Sequence, residues 1–185
     1  MNLKSPDGTT STPLIWKRLD YCPCLRWLRI RSIRADDWRK LQRFHGRLSA
    51  STIYQRFHVS KPVLNENWAR RLSDLDGHDG AGFVITTGTR GRIVAVACYY
   101  RIGSASIAEV GFVVEDAYQG CGLGKRLMRR LVDHALRSGI TQFMATVLPR
   151  NVLMLRLLQA AGPTHLQLDA GTIEVEVDLT RQEAA

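Results

Sequence analysis

The chain has 185 residues, 45% hydrophobic and 23% charged, with a formal net charge of +9. That length suits one domain with a core that needs neither disulfide nor metal, and no apolar run reaches the roughly 18 residues of a membrane-spanning helix. The charge reads either as a solvated, Arg-rich surface or as attraction to something acidic, a polyphosphate cofactor or an acidic protein; without an aromatic-interleaved basic ribbon or a helix-turn-helix pattern, nucleic acid ranks low.

Residues 1–13, rich in Ser, Thr, Pro and Gly, read as a disordered tail, and residues 14–185 as a single domain. The start lacks the continuous apolar stretch of a secretory signal, which makes the cytoplasm the default location. Leu14–Leu25 is ambiguous. It holds Cys22 and Cys24 as a C-x-C pair, but Cys98 and Cys121 stand apart and no second pair offers zinc spacing, so no metal is expected. A first strand spans roughly Leu25–Arg34, with Trp27, Ile30 and Ile33 apolar among arginines. Asp36 or Asp37 caps a helix running to about Leu48, with Trp38, Leu41 and Phe44 on one side. Ser51 caps a short second helix to Phe57, and Asn65–Leu75 forms a third carrying Trp68 and Leu72.

From there the apolar period changes. Gly82–Thr87 and Arg92–Tyr100 read as strands joined by the turn Thr87–Gly91, an antiparallel hairpin or meander. Ser106–Val114 is the next strand. Leu123, Leu127, Met128, Leu131, Val132, Ala135 and Leu136 recur at helical spacing until Gly139. Thr141–Val147 is a strand, and Asn151–Ala161 a helix stopped by Gly162-Pro163. Thr164–Leu168 and Thr172–Leu179 close the chain as strands joined by Asp169-Ala170-Gly171. The order β-α-α-α-β-β-β-α-β-α-β-β describes an α+β fold on a mixed sheet.

The segment Gln119-Gly120-Cys121-Gly122-Leu123-Gly124-Lys125 sits where a strand gives way to a helix. Such a junction leaves backbone N–H groups unpaired beside the positive end of a helix dipole, which suits a phosphate. A Rossmann dinucleotide site needs a parallel βαβ unit and Gly-x-Gly-x-x-Gly spacing; here the spacing is Gly120-x-Gly122-x-Gly124 after antiparallel strands. The Lys-Ser/Thr of a P-loop is absent too. A turn that merely connects elements is the bland alternative.

With its strand, Glu109-Val110-Gly111-Phe112-Val113-Val114-Glu115-Asp116-Ala117-Tyr118-Gln119-Gly120-Cys121-Gly122-Leu123-Gly124 resembles the acetyl-CoA motif of the GCN5-related N-acetyltransferase (GNAT) superfamily. Gln119, Gly122 and Gly124 fill its defined positions, and Asn151, eleven residues before Gly162, matches the head of the family's next helix. The resemblance covers about residues 26–180. It implies an acyl-CoA N-acyltransferase fold, a mixed, mostly antiparallel sheet of about seven strands flanked by helices. It also implies acetyl-CoA as cosubstrate, with no metal. The pyrophosphate rests on N–H groups of Gln119, Gly120, Cys121, Gly122, Leu123 and Gly124, with charge from Lys125. The pantetheine lies along Phe112, Val113 and Val114, and Asn151 adds to the same site. A bulge in that strand is expected to free an N–H for the thioester carbonyl.

An amine acceptor must lose a proton before attack. A lysine with pKa of about 10.4 is neutral in roughly one molecule in 2,500 near pH 7, a deficit of about 4.6 kcal/mol. Glu109 is the candidate general base: a carboxylate in the apolar run Val110–Val114 is costly unless it has a purpose or a partner, and burial would favour its protonated form. A solvent-facing or Arg-paired glutamate is the alternative. Glu115 and Asp116 read as caps or solvent-facing groups, and Tyr118 as packing. Where many family members carry a tyrosine acid, seven residues after the Asn, this chain has Leu158. The stretch Leu48-Ser49-Ala50-Ser51-Thr52-Ile53-Tyr54-Gln55-Arg56-Phe57 is similar to one in bacterial protein lysine acetyltransferases that modify acyl-CoA synthetases. This likeness implies a protein lysine acceptor. A small amine or antibiotic, or a non-catalytic CoA-binding regulator, are the other readings, and monomer and homodimer stay open.

Overall fold

The computed structural model describes residues 27–59 and 63–180. The expected tail, the ambiguous stretch after it, Cys22 and Cys24 lie outside the described residues. One seven-stranded sheet organises the rest: β1 (Arg29–Ser32), β2 (Gly80–Thr87), β3 (Arg92–Arg101), β4 (Ile107–Val114), β5 (Gln142–Val147), β6 (Thr164–Asp169) and β7 (Thr172–Asp178), in the order β1-β2-β3-β4-β5-β7-β6. Every neighbouring pair is antiparallel except β4–β5. A parallel pair needs a crossover, supplied here by α4 (Leu123–Arg137).

Both faces of β2 and β3 are buried, so their residues read as near-continuous apolar runs. Ile85, Ala97 and Tyr99 turn toward α4 and α5 (Val152–Gln159), meeting Leu127, Leu131, Phe143 and Leu158. Val84 and Ile93 turn to the opposite face, against Leu41 and Phe44 of α1 (Trp38–His45), Ile53 of α2 (Ala50–Phe57) and Ala69 of α3 (Glu66–Ser73). Among the described residues no helix is long and apolar enough to cross a membrane.

Three local expectations change. Ser49 rather than Ser51 caps α2: its backbone is extended (φ −67°, ψ 157°) and its Oγ accepts from the Thr52 N–H at 3.1 Å, whereas Ser51 already lies inside the first turn. β4 carries no bulge against β3, because the register from Arg101↔Ala108 to Ala95↔Val114 is unbroken; the register shift lies between Ile85 and Thr86, in the β2–β3 pair. Glu115 stands at the N-cap of a short 3-10 turn, Asp116–Tyr118, but its side chain makes no capping hydrogen bond and does not face solvent. It is buried at 6% exposure and ion-paired with Arg92 and, at 3.1 Å, Arg47, which ties the end of β4 to the turn after α1.

Truncating Glu115 to Ala removes the buried acceptor of two partly solvated guanidinium groups, which should lower stability by about 1–2 kcal/mol in urea unfolding. Burial also holds His45 below its ordinary pKa, and burial and then Arg137 do so for His134, whose Nδ1 lies 3.0 Å from the Tyr99 hydroxyl. Both are therefore favoured as neutral rings in the folded chain, while the unfolded chain protonates them near pH 6.5. Their contribution is complete above about pH 6.5 and is lost as pH falls through and below it. Urea midpoints should drop between pH 7 and pH 5, and less so in His45→Phe.

Candidate functional site

β4 and β5 pair only through Ile107↔Gln142, Ala108↔Phe143 and Glu109↔Met144. Beyond those residues β4 keeps its register with β3 as far as Val114, and β5 keeps its register with β7 as far as Val147. The two strands therefore part, and a cleft of about 580 Å³ opens between them, within the usual range for ligand pockets of about 300–1,000 Å³. The Glu115 N–H donates to the Val94 carbonyl at 2.9 Å. Antiparallel alternation then directs the N–H and C=O of Gly111 and Val113 to β3 and leaves those of Phe112 and Val114 facing the cleft. The unpaired N–H groups expected from a bulge arise instead from the divergence of the strands.

At the wide end lies the glycine turn. Gly122 is the N-cap of α4 with φ 74°, a left-handed backbone that favours glycine. With no capping side chain, the first N–H groups of α4 keep no acceptor within the helix. A Cβ on Gly124 would stand 3.2 Å from Leu157 Cδ2, so the close approach of α4 to α5 also uses glycine. Gly120, Gly122, Leu123, Gly124 and Lys125 all line the cleft. Lys125 is exposed, as are Arg126, Arg129 and Arg130 further along α4. Cys121 packs half-buried against the core on the α4 face and is not part of the lining.

The turn is tied to α2 through side chains. Gln119 Nε2 donates to Thr52 Oγ1 and to the Val114 carbonyl, both at 3.1 Å. Asp116 accepts from Ser49 Oγ at 2.6 Å, Thr52 Oγ1 at 2.8 Å and the Ser49 N–H at 3.0 Å. Partial burial raises the pKa of Asp116, but these hydrogen bonds outweigh it and hold the carboxyl below the usual range. Asn151 lines the cleft as the N-cap of α5; its Oδ1 accepts from the Met154 N–H at 3.2 Å, which leaves its amide N–H groups for a ligand.

Glu109 stands where the two strands part, paired across the sheet with Tyr100 and Met144. It is exposed and outside the cleft lining, so the apolar burial expected for it is absent: its face of the sheet is open at that point. Next to it, burial first, then Cys98 and Glu109, push the Tyr100 phenol well above its ordinary value, opposed by Arg56. Leu158 is fully buried in the core, and α5 turns Leu153, Met154, Leu157 and Ala160 toward the cleft instead. Tyr118 both packs on the core and lines the cleft. Sequence reading assigned no role to Thr52, Gln55 and Arg56, which form the α2 wall; their i, i+3, i+4 spacing was the signal that they share a helix face. No group of three metal-ligating side chains occurs among the described residues.

A family model described as "Acetyltransferase (GNAT) family" matches residues 27–162. The acetyltransferase Pat of Mycolicibacterium smegmatis is 33% identical over 155 residues, 83% of this chain and 46% of that protein, so the chain spans less than half the length of that relative. Acetyltransferase PA5475 of Pseudomonas aeruginosa is 30% identical over 139 residues, covering 74% of this chain and 75% of that one. Among solved structures, the GNAT domain of S. lividans PAT aligns with a TM-score of 0.76 at 33% identity, over 82% of this chain and 90% of that one.

Gly122→Val should preserve the far-ultraviolet circular dichroism but distort the turn. A non-glycine residue in the left-handed region costs about 1–2 kcal/mol, so calorimetry should find CoA binding about tenfold weaker.

Proposed function

The chain belongs to the acetyltransferase (GNAT) family of acetyl-CoA-dependent N-acetyltransferases, and on that premise we propose that it acetylates protein lysine side chains in the cytoplasm, with Glu109 as general base. The observation that carries the reading is the position of Glu109 in the last pair before β4 and β5 part, next to the cleft and exposed on an open face of the sheet. An open approach suits a lysine on a polypeptide better than a small amine, which would be held in an enclosed pocket. An acyl-CoA synthetase is the candidate acceptor, from the likeness of Leu48–Phe57 to lysine acetyltransferases that modify such enzymes.

The residues present fit the cosubstrate. The turn Gln119–Lys125 offers backbone donors and a cation to the pyrophosphate, and the edge of β4 at Phe112 and Val114 offers N–H and C=O groups to an extended pantetheine. Bound acetyl-CoA supplies the activated acyl group: the amine nitrogen bonds to the thioester carbon, and the carbon–sulfur bond breaks to release CoA thiolate. Glu109 takes the proton from the amine, directly or through one water, and passes it to solvent. The cleft-facing N–H groups of β4 hold the carbonyl oxygen as negative charge grows on it. Solvent reprotonates the thiolate, since Leu158 provides no acid.

Glu109→Gln should lower kcat by about 10²–10⁴-fold while the acetyl-CoA dissociation constant stays within about twofold. The check is thiol release with a purified acyl-CoA synthetase, peptide N-termini, polyamines and aminoglycosides as acceptors. Unchanged turnover in the variant removes Glu109 as base; release with polyamines or aminoglycosides alone moves the acceptor to small amines.

A further inference from the structure

Two hollows meet at one arginine. The first is the acyl-CoA cleft. The second is a small apolar cavity of about 50 Å³ on the α1–α3 face of the sheet, walled by Leu41, Phe44, Leu48, Leu64, Leu72 and Cys98. One water needs about 10–15 Å³ of such space, so the cavity accepts several carbon-sized groups. Cleft and cavity share Arg56, Gly111 and Val113 in their walls. The side chain of Arg56 comes from the last turn of α2 and lies directly on the backbone of Gly111; a Cβ at 111 would overlap its guanidinium. Gly111 is two residues along β4 from Glu109 on the same face, about 6.6 Å away along the strand. Arg56 therefore stands beside the end of the cleft where the reading above puts the thioester.

None of the ion pairs among the described residues includes Arg56. It is held by the Cys98 thiol and by the Phe57 ring, whose centroid is 5.3 Å from its Cζ. No carboxylate among the described residues clamps it, so its stem and planar head act here as a wall more than as a charge partner. His45, which also lines the cavity, is kept below its ordinary pKa by burial. Beyond Arg56 the cavity is thus an uncharged, apolar space at neutral pH.

We propose that Arg56 is the acyl-length determinant of this enzyme: it closes the thioester end of the cleft against the apolar cavity, so that the donor site ends at an acetyl group. This rests on the acyl-CoA reading of the cleft. Truncating Arg56 joins the two spaces and turns the cavity into a bed for the methylenes of a longer acyl chain.

The test compares acetyl-, propionyl- and butyryl-CoA with wild type, Arg56→Ala and Val113→Ala, the last opening the shared wall from its other side. Two readouts are taken: thiol release with the best acceptor, and donor dissociation constants by calorimetry without acceptor. In wild type both favour acetyl-CoA. In Arg56→Ala the butyryl-to-acetyl ratio rises about fifteenfold in both, the effect of burying two methylene groups. Cys98→Leu added to Arg56→Ala refills the cavity and returns the ratio toward wild type. Should Arg56→Ala not fold, Val113→Ala must still raise the ratio. Acetyl-CoA binding with an unmoved donor ratio in the folded variants overturns the role of Arg56. Failure of wild type to bind any of the three donors overturns the acyl-CoA reading instead.

Discussion

The site depends on the point at which β4 leaves β5. Had their parallel pairing continued past Glu109 and Met144, the backbone groups of Phe112 and Val114 would be spent on β5 and no cleft would exist. The separation is held from both sides. β4 remains laddered to β3 and β5 to β7, and the Glu115 pairs with Arg47 and Arg92 fasten the far end of β4. Opening therefore forgoes only a few inner hydrogen bonds while each strand keeps a full ladder on its outer edge. Parallel direction has a second consequence: both strands end at the same side of the sheet. The glycine turn after β4 and the Asn151 cap after β5 thus flank one cleft, though 26 residues of strand, turn and helix separate Gly124 from Asn151.

The third wall comes from the opposite face. α2 is joined to the turn by hydrogen bonds among Ser49, Thr52, Asp116 and Gln119, several of them to an ionised carboxylate and so stronger than neutral ones. Residues 64 to 67 positions apart in sequence thereby set the orientation of the glycine turn and of Arg56 together. Donor binding at one end of the cleft and acyl selection at the other share that helix.

Much of this was legible in the chain. The switch from helical to alternating period located all seven strands and five helices, because sheet and helix burial write themselves directly into apolar spacing. The Gln119-x-x-Gly122-x-Gly124 spacing marked the turn that lines the wide end of the cleft, since left-handed backbone at Gly122 and close packing at Gly124 both demand glycine. What the sequence did not disclose were choices settled in three dimensions. Ser49 and Ser51 are equally good caps until Asp116 arrives from across the fold to engage Ser49. Glu115 reads as solvent-facing until two arginines from other elements reach it. Strand divergence and a bulge both leave N–H groups unpaired, and only the register distinguishes them. Glu109 reads as buried from its neighbours, yet burial of a strand residue depends on what covers that face, and here the face is open. Arg56 and Gly111, 55 residues apart, show nothing of their contact in one dimension.

The central claim is that strand parting at β4–β5 creates a row of backbone donors running from Phe112 to the start of α4, and that acyl-CoA occupies it. Residue-resolved amide hydrogen exchange with and without saturating CoA tests this most directly, because exchange reports the pairing of individual N–H groups. The account predicts slowed exchange at Phe112, Val114, Gly122, Leu123 and Gly124, with Gly111 and Val113 already protected in the unliganded chain by their bonds to β3. Protection confined to other parts of the sheet, or none at the turn and the β4 edge, would contradict it.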